Sequence, residues 1–419
     1  MTLACAVALV AGAMAQPVTM YTLAGRPTAG ASDGFRHKAQ FNCPGGVTVD
    51  PAGNLYVADT GNSLIRKVNV AGAVTTLAGQ PGEAGSLDGL GTNAQFNVPQ
   101  GIACDVLSGD LYVADTGNHT IRRITPFGLV STVAGAPGQP NSLDGPCAEA
   151  RFNHPEALAA DASGNLYVAD TWNHVIRKVT PAGSVTTIAG LAGNAGAADG
   201  VGQKARFNRP AGVAVDPVGN VYVADFMNHT IRRITPAGEV GTIAGASGLW
   251  GSRDGAGPEC RFYHPQGVAV AGANELVVLD SGNHTLRRVL ITGTTGVTET
   301  MAGAAGVAAP YDGTGAEAQF FFPAGVAAGS SGLVYIADSG NNSVRTDRVV
   351  PPWLEQSEVS GQLTLRWPVS FLNFDLETAT VLAPGSWSAV QLPVEIQGDY
   401  LEIRTNLAHV KAFYRLRQR

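Results

Sequence analysis

Three basic side chains occupy one repeated position of this sequence and are of types that could do chemistry. His154, Arg209 and His264 each stand directly before a proline, in three successive copies of a sequence repeat. Imidazole is a common zinc ligand and a general acid or base near neutral pH, and guanidinium binds carboxylates and phosphates. One hypothesis is therefore a metal-dependent lyase or hydrolase that works through these three residues.

The other copies of the repeat weaken this hypothesis, because they hold no further histidine at that position. The equivalent residues are Cys43, Val98 and Phe322. The sequence also has no Ser/His/Asp order, paired-carboxylate motif or phosphate-binding loop that stands apart from the repeats. We therefore predict no cofactor, and keep zinc or calcium in a central channel as the alternative.

Large apolar side chains form a second group of candidates, which could bind a partner. They replace small or polar residues of the other copies. The residues are Trp172, Phe226, Met227, Trp250 and Tyr263. Clustered aromatic residues at a surface are typical of recognition sites; packing of these loops on one another is the alternative. Together with His154, Arg209 and His264 they are the predicted binding residues.

The elements that position both groups follow from the repeat. Six aspartates mark its copies at intervals of 55 to 58 residues: Asp59, Asp115, Asp170, Asp225, Asp280 and Asp338. In each copy, four runs rich in Val, Ile, Tyr and Thr are separated by Gly, Pro, Asn and Asp, a pattern typical of short strands and tight turns. The runs are too apolar for a sheet with one wet face, so we predict six four-stranded blades packed around an axis.

The alternation of the strands, named a to d, defines the two ends of such a ring. The b–c turns and the d–a connections lie at one end, which carries both groups of candidate residues. The last copy lacks strand d, whereas the segment from Val18 to Gly25 resembles that strand and precedes the first complete copy. We predict that this segment completes the sixth blade and closes the ring.

The repeated phrase resembles that of a known family. Its clearest copy runs Gly212-Val-Ala-Val-Asp216, Gly219-Asn-Val-Tyr-Val-Ala-Asp225 and Ile231-Arg-Arg-Ile-Thr235. It is similar to the NHL repeat, and the resemblance covers residues 18 to 350. The resemblance implies an all-β, six-bladed β-propeller. NHL-type propellers bind proteins or RNA, or serve as extracellular sensors, and one metal-using lyase branch gathers histidines from several blades around the channel.

Residues that recur in every copy are interpreted as structural. Each aspartate at the end of strand b is followed seven residues later by an arginine on strand c, which predicts an ion pair across the b–c hairpin. The Asp-Gly pairs from Asp33 to Asp312 are interpreted as turns. The phenylalanines from Phe41 to Phe320, close before the proline of strand a, are interpreted as core residues.

The two ends of the chain predict additional parts. Residues 1–15 are apolar and end in Ala-Met-Ala, the pattern of a secretory signal peptide. Residues 16–350 are the predicted propeller, and residues 351–419 show the apolar–polar alternation of a small C-terminal β-sandwich-like module. We therefore expect an extracytoplasmic location, whether secreted, periplasmic or at the cell surface.

Composition narrows the choice of partners. The net charge of −6 disfavours nucleic acid, whose binding needs a clustered positive field. No stretch of the sequence is apolar over the length that spans a membrane. We predict a monomeric, secreted propeller that acts as a protein- or glycan-binding or scaffold module, through the end that carries the b–c turns and d–a connections. An extracytoplasmic metal-dependent lyase or hydrolase at the channel mouth is the alternative.

Overall fold

The chain is all-β, apart from short 3-10 helices, wherever its structure is described. The computed structural model describes residues 16–329, 332–348, 354–359, 362–371, 374–379, 387–406 and 413–418. The predicted signal peptide and the predicted domain boundary at Pro351 lie outside the described residues. Within them, no helix has the length and apolar composition that crossing a bilayer requires.

Six antiparallel sheets of one design surround a central channel, which confirms the predicted six-bladed propeller. Strand a, which lines the channel, is Gly46–Val49, Pro99–Cys104, Pro155–Ala160, Pro210–Val215, Pro265–Gly272 and Pro323–Ala328. Strand b is Leu55–Asp59, Leu111–Asp115, Leu166–Asp170, Val221–Asp225, Glu275–Asp280 and Val334–Asp338. Strand c is Leu64–Val68, Thr120–Ile124, Val175–Val179, Thr230–Ile234, Thr285–Thr292 and Ser343–Thr346. Strand d is Ala73–Ala78, Leu129–Gly135, Ser184–Gly190, Glu239–Gly245, Thr295–Ala302 and Thr19–Gly25.

Each blade has a fifth, outer strand, so the prediction of four strands per blade is wrong in this detail. The outer strands are Gly34–Phe35, Gly89–Leu90, Gly145–Pro146, Gly200–Val201, Gly255–Ala256 and Gly313–Thr314. Each belongs to a d–a connection and pairs with strand d of the next blade, as Gly34 does with Val74. A strand of two residues is too short to show an alternating pattern in sequence.

Short 3-10 helices form the b–c turns and most d–a connections. The b–c helices are Thr60–Asn62, Thr116–Asn118, Thr171–Asn173, Phe226–Asn228, Ser281–Asn283 and Ser339–Asn341. The d–a helices are Arg36–Lys38, Gly91–Asn93, Gly202–Lys204, Gly257–Glu259 and Gly315–Glu317. Each b–c helix ends at a left-handed residue with φ between 51° and 60°: Ser63, His119, His174, His229, His284 and Asn342.

The N-terminal strand closes the ring, as predicted. Thr19–Gly25 pairs antiparallel with strand c of the sixth blade, with Tyr21 opposite Thr346 and Gly25 opposite Ser343. The sixth blade therefore contains strands from both ends of the propeller, and its ladder of hydrogen bonds joins those ends.

An Asp–Arg–Asp network with a buried arginine and a buried strand-b aspartate lies in every blade and confirms the predicted ion pairs. In the second blade, Nη1 of Arg122 lies 2.7 Å from Oδ2 of Asp115, and Nη2 lies 2.7 Å from Oδ1 of Asp88. The guanidinium also lies 5.1 Å from the ring centre of the buried Phe96. Asp88 and its equivalents, predicted to be turn residues, are thus also ligands of the buried arginine.

The C-terminal module has two antiparallel sheets around one core, as expected for a small sandwich. One sheet has the order Glu355–Val359, Gln362–Pro368, Tyr400–Asn406, Glu395–Gln397, and the other Ser388–Ala389, Phe374–Ala379, Phe413–Gln418. Leu365, Trp367 and Leu376 are buried between them. The carbonyl of Ser370 accepts the N–H of Asp312 at 2.8 Å, which ties the module to the sixth blade.

Candidate functional site at the channel mouth

We call the end of the ring that carries the b–c turns and d–a connections the mouth. There, the residue before each strand-a proline has a left-handed backbone, with φ between 44° and 53°. These residues are Cys43, Val98, His154, Arg209, His264 and Phe322. This conformation is uncommon for any residue but glycine and is strained for a β-branched one such as Val98, so the surrounding contacts must hold the turn in place.

Hydrogen bonds between successive blades supply those contacts. Nδ1 of His119 accepts the backbone N–H of His154 at 3.1 Å. The same bond joins His174 to Arg209, His229 to His264 and His284 to Phe322. Burial lowers the pKa of all four accepting histidines, which favours the neutral ring that these bonds require. Each of the four histidines thus links two neighbouring blades.

The first of two stacked clusters at the mouth contains His154, Trp172 and Arg209. The His154 ring stacks on Trp172 with centroids 4.3 Å apart and an angle of 24° between the planes. The guanidinium of Arg209 lies 5.2 Å from the centre of the Trp172 ring. Burial lowers the pKa of His154, which favours its neutral form. Trp172 remains 47% exposed although both neighbours fix its orientation.

The second cluster contains Phe226, Trp250, Tyr263 and His264. His264 is sandwiched between Phe226, at 4.5 Å and 9°, and Tyr263, at 4.3 Å and 27°. Trp250 lies against Tyr263 with centroids 5.1 Å apart and is 67% exposed. Offset and stacked rings at these separations are favourable beyond the area that they bury, so this cluster is also a preformed surface.

The two clusters contain nearly all of the predicted binding residues. Seven of the eight lie in a cluster, and the eighth, Met227, lies exposed on the turn beside Phe226. Of the trio proposed for catalysis, His154 and Arg209 belong to the first cluster and His264 to the second. No grouping of three or more His, Cys, Asp or Glu among the described residues is suited to hold a metal ion.

Sequence reasoning missed a third apolar group at the mouth. Phe321 and Phe322 are 38% and 51% exposed, and both rings contact His284. The sequence does contain a signal, because the sixth copy reads Phe-Phe-Phe where the first four copies read Phe-Asn before this position.

An acidic side chain below the mouth was also missed. Glu156 follows the proline of strand a and lines the channel with residues from all six strands a. Its carboxyl has no hydrogen-bond partner among the described residues. Enclosure raises the pKa of Glu156 to about 7, and Arg209 opposes that rise. The equivalent residues are Gly45, Gln100, Ala211, Gln266 and Ala324, so the difference between copies was again the readable signal.

We expect Glu156→Gln to stabilise the protein above neutral pH. Because the pKa of Glu156 is higher in the folded than in the unfolded chain, folding favours the neutral acid. The resulting contribution to stability is complete below the unfolded pKa and is lost as pH rises through about 7. The variant should match the parent chain near pH 4.5 and exceed it at pH 8 by about 2 kcal/mol of unfolding free energy.

Chemical denaturation at the two pH values measures this difference. Glu83→Gln is the matched control, since Glu83 is exposed in a d–a connection at the same end of the ring. A Glu156→Gln variant that tracks Glu83→Gln at both pH values would contradict the raised pKa.

Comparison with known proteins identifies the repeat. The NHL repeat family matches residues 41–68, 96–124, 152–178, 207–234, 262–288 and 320–346. The chain is 29% identical over 319 residues to Protein SUPPRESSOR OF QUENCHING 1, chloroplastic, of Arabidopsis thaliana, covering 72% of this chain and 30% of that protein. It is 29% identical over 337 residues to NHL repeat-containing protein 2 of Bos taurus, covering 72% of this chain and 46% of the relative. The chain thus spans less than half the length of these curated relatives.

A solved structure shares the fold. A crystal structure of a protein of unknown function from Bacteroides thetaiotaomicron superposes with a TM-score of 0.61 at 20% identity. The match covers 79% of this chain and 76% of the other. At this identity the similarity describes the architecture, and the site has to be interpreted from its own residues.

Proposed function

Because the chain is an NHL-repeat protein folded as a six-bladed β-propeller, a fold that supports binding and scaffold roles, we propose that it captures a protein partner at the mouth. The binding residues are those of the two stacked clusters together with Met227. We place this activity outside the cytoplasm and in a monomer, on the basis of the predicted signal peptide and the closed ring.

The observation that carries the proposal is the exposure of tryptophans whose orientation is already fixed. Trp172 and Trp250 present about half and two thirds of their surface to solvent while stacked on neighbours. Side chains held in place before binding lose little entropy when a partner arrives, and tryptophan is enriched among the residues that dominate interface energies.

Aliphatic neighbours favour a protein over a glycan as the partner. Met227 and Leu249 are 38% and 54% exposed at the same end of the ring. A mixed aromatic and aliphatic surface matches the apolar core of a protein interface. Apolar residues are also exposed at the opposite end, such as Leu107 in an a–b turn and Phe127 in a c–d turn, but no aromatic stacking among the described residues fixes their orientation.

The lyase or hydrolase alternative has one observation in its favour and one against it. Glu156, with a pKa of about 7, has the acidity of a general acid or base and lies near Arg209. Against it stands the separation of His154 from His264 in different stacked clusters. We therefore retain the binding function as the proposal.

The proposal is tested by screening the full chain on peptide and glycan arrays and measuring the hits in solution. Replacing Trp172 and Trp250 together by alanine should weaken peptide binding at least tenfold, because each substitution removes an aromatic side chain that anchors the interface. Phe127→Ala, at the opposite end, is the control and should bind unchanged. Hits confined to glycans, or peptide hits that the double variant retains, would overturn the proposal.

A further inference from the structure

The innermost layer of the channel mouth has a composition of its own. The first residues after the strand-a prolines are Gly45, Gln100, Glu156, Ala211, Gln266 and Ala324, and all six line one cavity. Among the described residues, no hydrogen bond is made by the side chains of Gln100, Glu156 or Gln266. Three partly buried polar groups thus line one small space and have no protein partner among the described residues.

A β-bulge sets the position of Glu156. Pro155 lies opposite Asp170 and Ala157 opposite Ala169, so Glu156 is the extra residue that pairs with nothing across the sheet. Bulges re-aim a side chain and are frequent beside functional sites. The fourth and sixth blades have the same bulge, and the extra residue there is Ala211 or Ala324. The bulge is therefore shared by several blades, whereas the acidic side chain occurs at this position in the third blade alone.

A layer of small residues follows these polar groups along the channel. A Cβ on Gly212 would overlap the carbonyl oxygen of Gln266, and a Cβ on Gly46 would overlap that of Gln100. Neighbouring strands a therefore approach each other closely at Gly46 and Gly212. Beyond this layer the cavity continues and is lined by apolar residues, Val47, Ile102, Leu158, Val213, Val268 and Val326, so its polar groups are confined to the side of the mouth.

Charge and size define what the space can hold. Among the described residues that line the cavity, Glu156 is the one that ionises, so the wall supplies a single negative charge. Calcium typically requires six to eight oxygen ligands, whereas one carboxylate and two amide oxygens match an ammonium group. The cavity of about 70 Å³ corresponds to roughly five to seven water-sized groups. An ammonium group on a short alkyl chain fits, and a sugar ring or an indole does not.

We propose that the channel mouth contains a subsite for a primary ammonium group, with Glu156 as its counter-ion and the amide oxygens of Gln100 and Gln266 as further acceptors. The alkyl stem of the ligand leaves through the mouth past the stacked rings, whose apolar faces its methylene groups contact. The group comes from a small free amine or from a lysine side chain of a protein partner. This subsite does not depend on the partner proposed for the stacked clusters.

Binding of an ammonium group should strengthen as pH rises. The charged or titratable groups near Glu156 are Arg209, over the Trp172 ring, and His154 at the mouth, whose pKa is lowered by burial. The adjoining strands contribute uncharged residues such as Gln100 and Ala211. With a pKa of about 7 for Glu156, the ionised fraction rises about tenfold between pH 6 and pH 8, while an alkylamine stays charged.

The test is a ligand-observed NMR titration of the full chain with butylammonium chloride at constant ionic strength. We expect binding that strengthens about tenfold from pH 6 to pH 8, and at least tenfold weaker binding by Glu156→Gln. Glu83→Gln is the control and should bind like the parent chain. Butanol and butyrate are the ligand controls and should not bind.

A second arm identifies the source of the group. Lysine capped at its α-amine and carboxyl should bind as butylammonium does if the subsite accepts a protein side chain, and acetylation of its ε-amine should abolish binding. Binding of butylammonium alone assigns the subsite to small free amines. Failure of both amines to bind, binding of butyrate, or amine binding that Glu156→Gln leaves intact would overturn the proposal, and none of these results bears on the stacked clusters.

Discussion

Replacing Arg122 by leucine is expected to lower the free energy of unfolding by about 3–5 kcal/mol. The guanidinium holds Asp115 at 2.7 Å and Asp88 at 2.7 Å, and it donates to the carbonyls of Gln95 and Leu87. Leucine keeps much of the volume but leaves the fully buried Asp115 without its cation. The loss should therefore come from an uncompensated buried charge, and chemical denaturation measures it.

The neighbouring arginine provides the control. Arg123, on the same strand, pairs with Asp110 at 2.6 Å, but its side chain is 44% exposed. Asp110 is buried, but solvent reaches the arginine side of this pair, so Arg123→Leu should lower the free energy of unfolding by less than Arg122→Leu does. Equal losses for the two variants would show that the buried network does not hold the blade together.

Removing residues 16–25 is expected to abolish cooperative unfolding of the propeller. The deletion removes strand d of the sixth blade, including the buried Leu23 and Ala24, and exposes the edge of Ser343–Thr346. A chain that starts at Gln16 is the reference. Thermal unfolding followed by circular dichroism should show a transition for the reference and none, or a broad one at much lower temperature, for the truncated chain.

Rescue distinguishes ring closure from a general loss of chain. A synthetic peptide of residues 16–25 should bind the truncated protein by adding a strand to the open edge and should restore the transition. A peptide with Leu23 replaced by aspartate, which cannot be buried there without penalty, should not. An unchanged midpoint after truncation would contradict closure.

Much of the fold could be predicted because the sequence pattern of each strand and turn recurs in six copies. Asp115 and Arg122 are seven residues apart across one hairpin, and a local pairing of this kind is visible in a single copy. The closing strand was also predictable, because Val18 to Gly25 resembles the strand that the last copy lacks. The second partner of Arg122 was not predictable, because Asp88 lies 34 residues earlier in the chain and reaches the arginine through the packing of the d–a connection.

The site was only partly predictable for a related reason. Trp172, Phe226 and Trp250 stand out because they replace small or polar residues of the repeat. Which of them stack, and that His154 joins Trp172 while His264 joins Phe226, depends on contacts between blades that no single copy contains. Glu156 shows the limit most clearly, because its enclosure results from the approach of six strands around one axis.

The central claim is that residues shared by all six blades build the ring, whereas departures from the repeat at the mouth recognise a partner. The most direct test restores the repeat in the third and fourth blades with Trp172→Gly, Phe226→Thr and Met227→Gly, and measures array-identified peptide binding. We predict an unfolding midpoint within a few degrees of the parent chain and at least about tenfold weaker binding. Unchanged binding by a folded variant would contradict the claim.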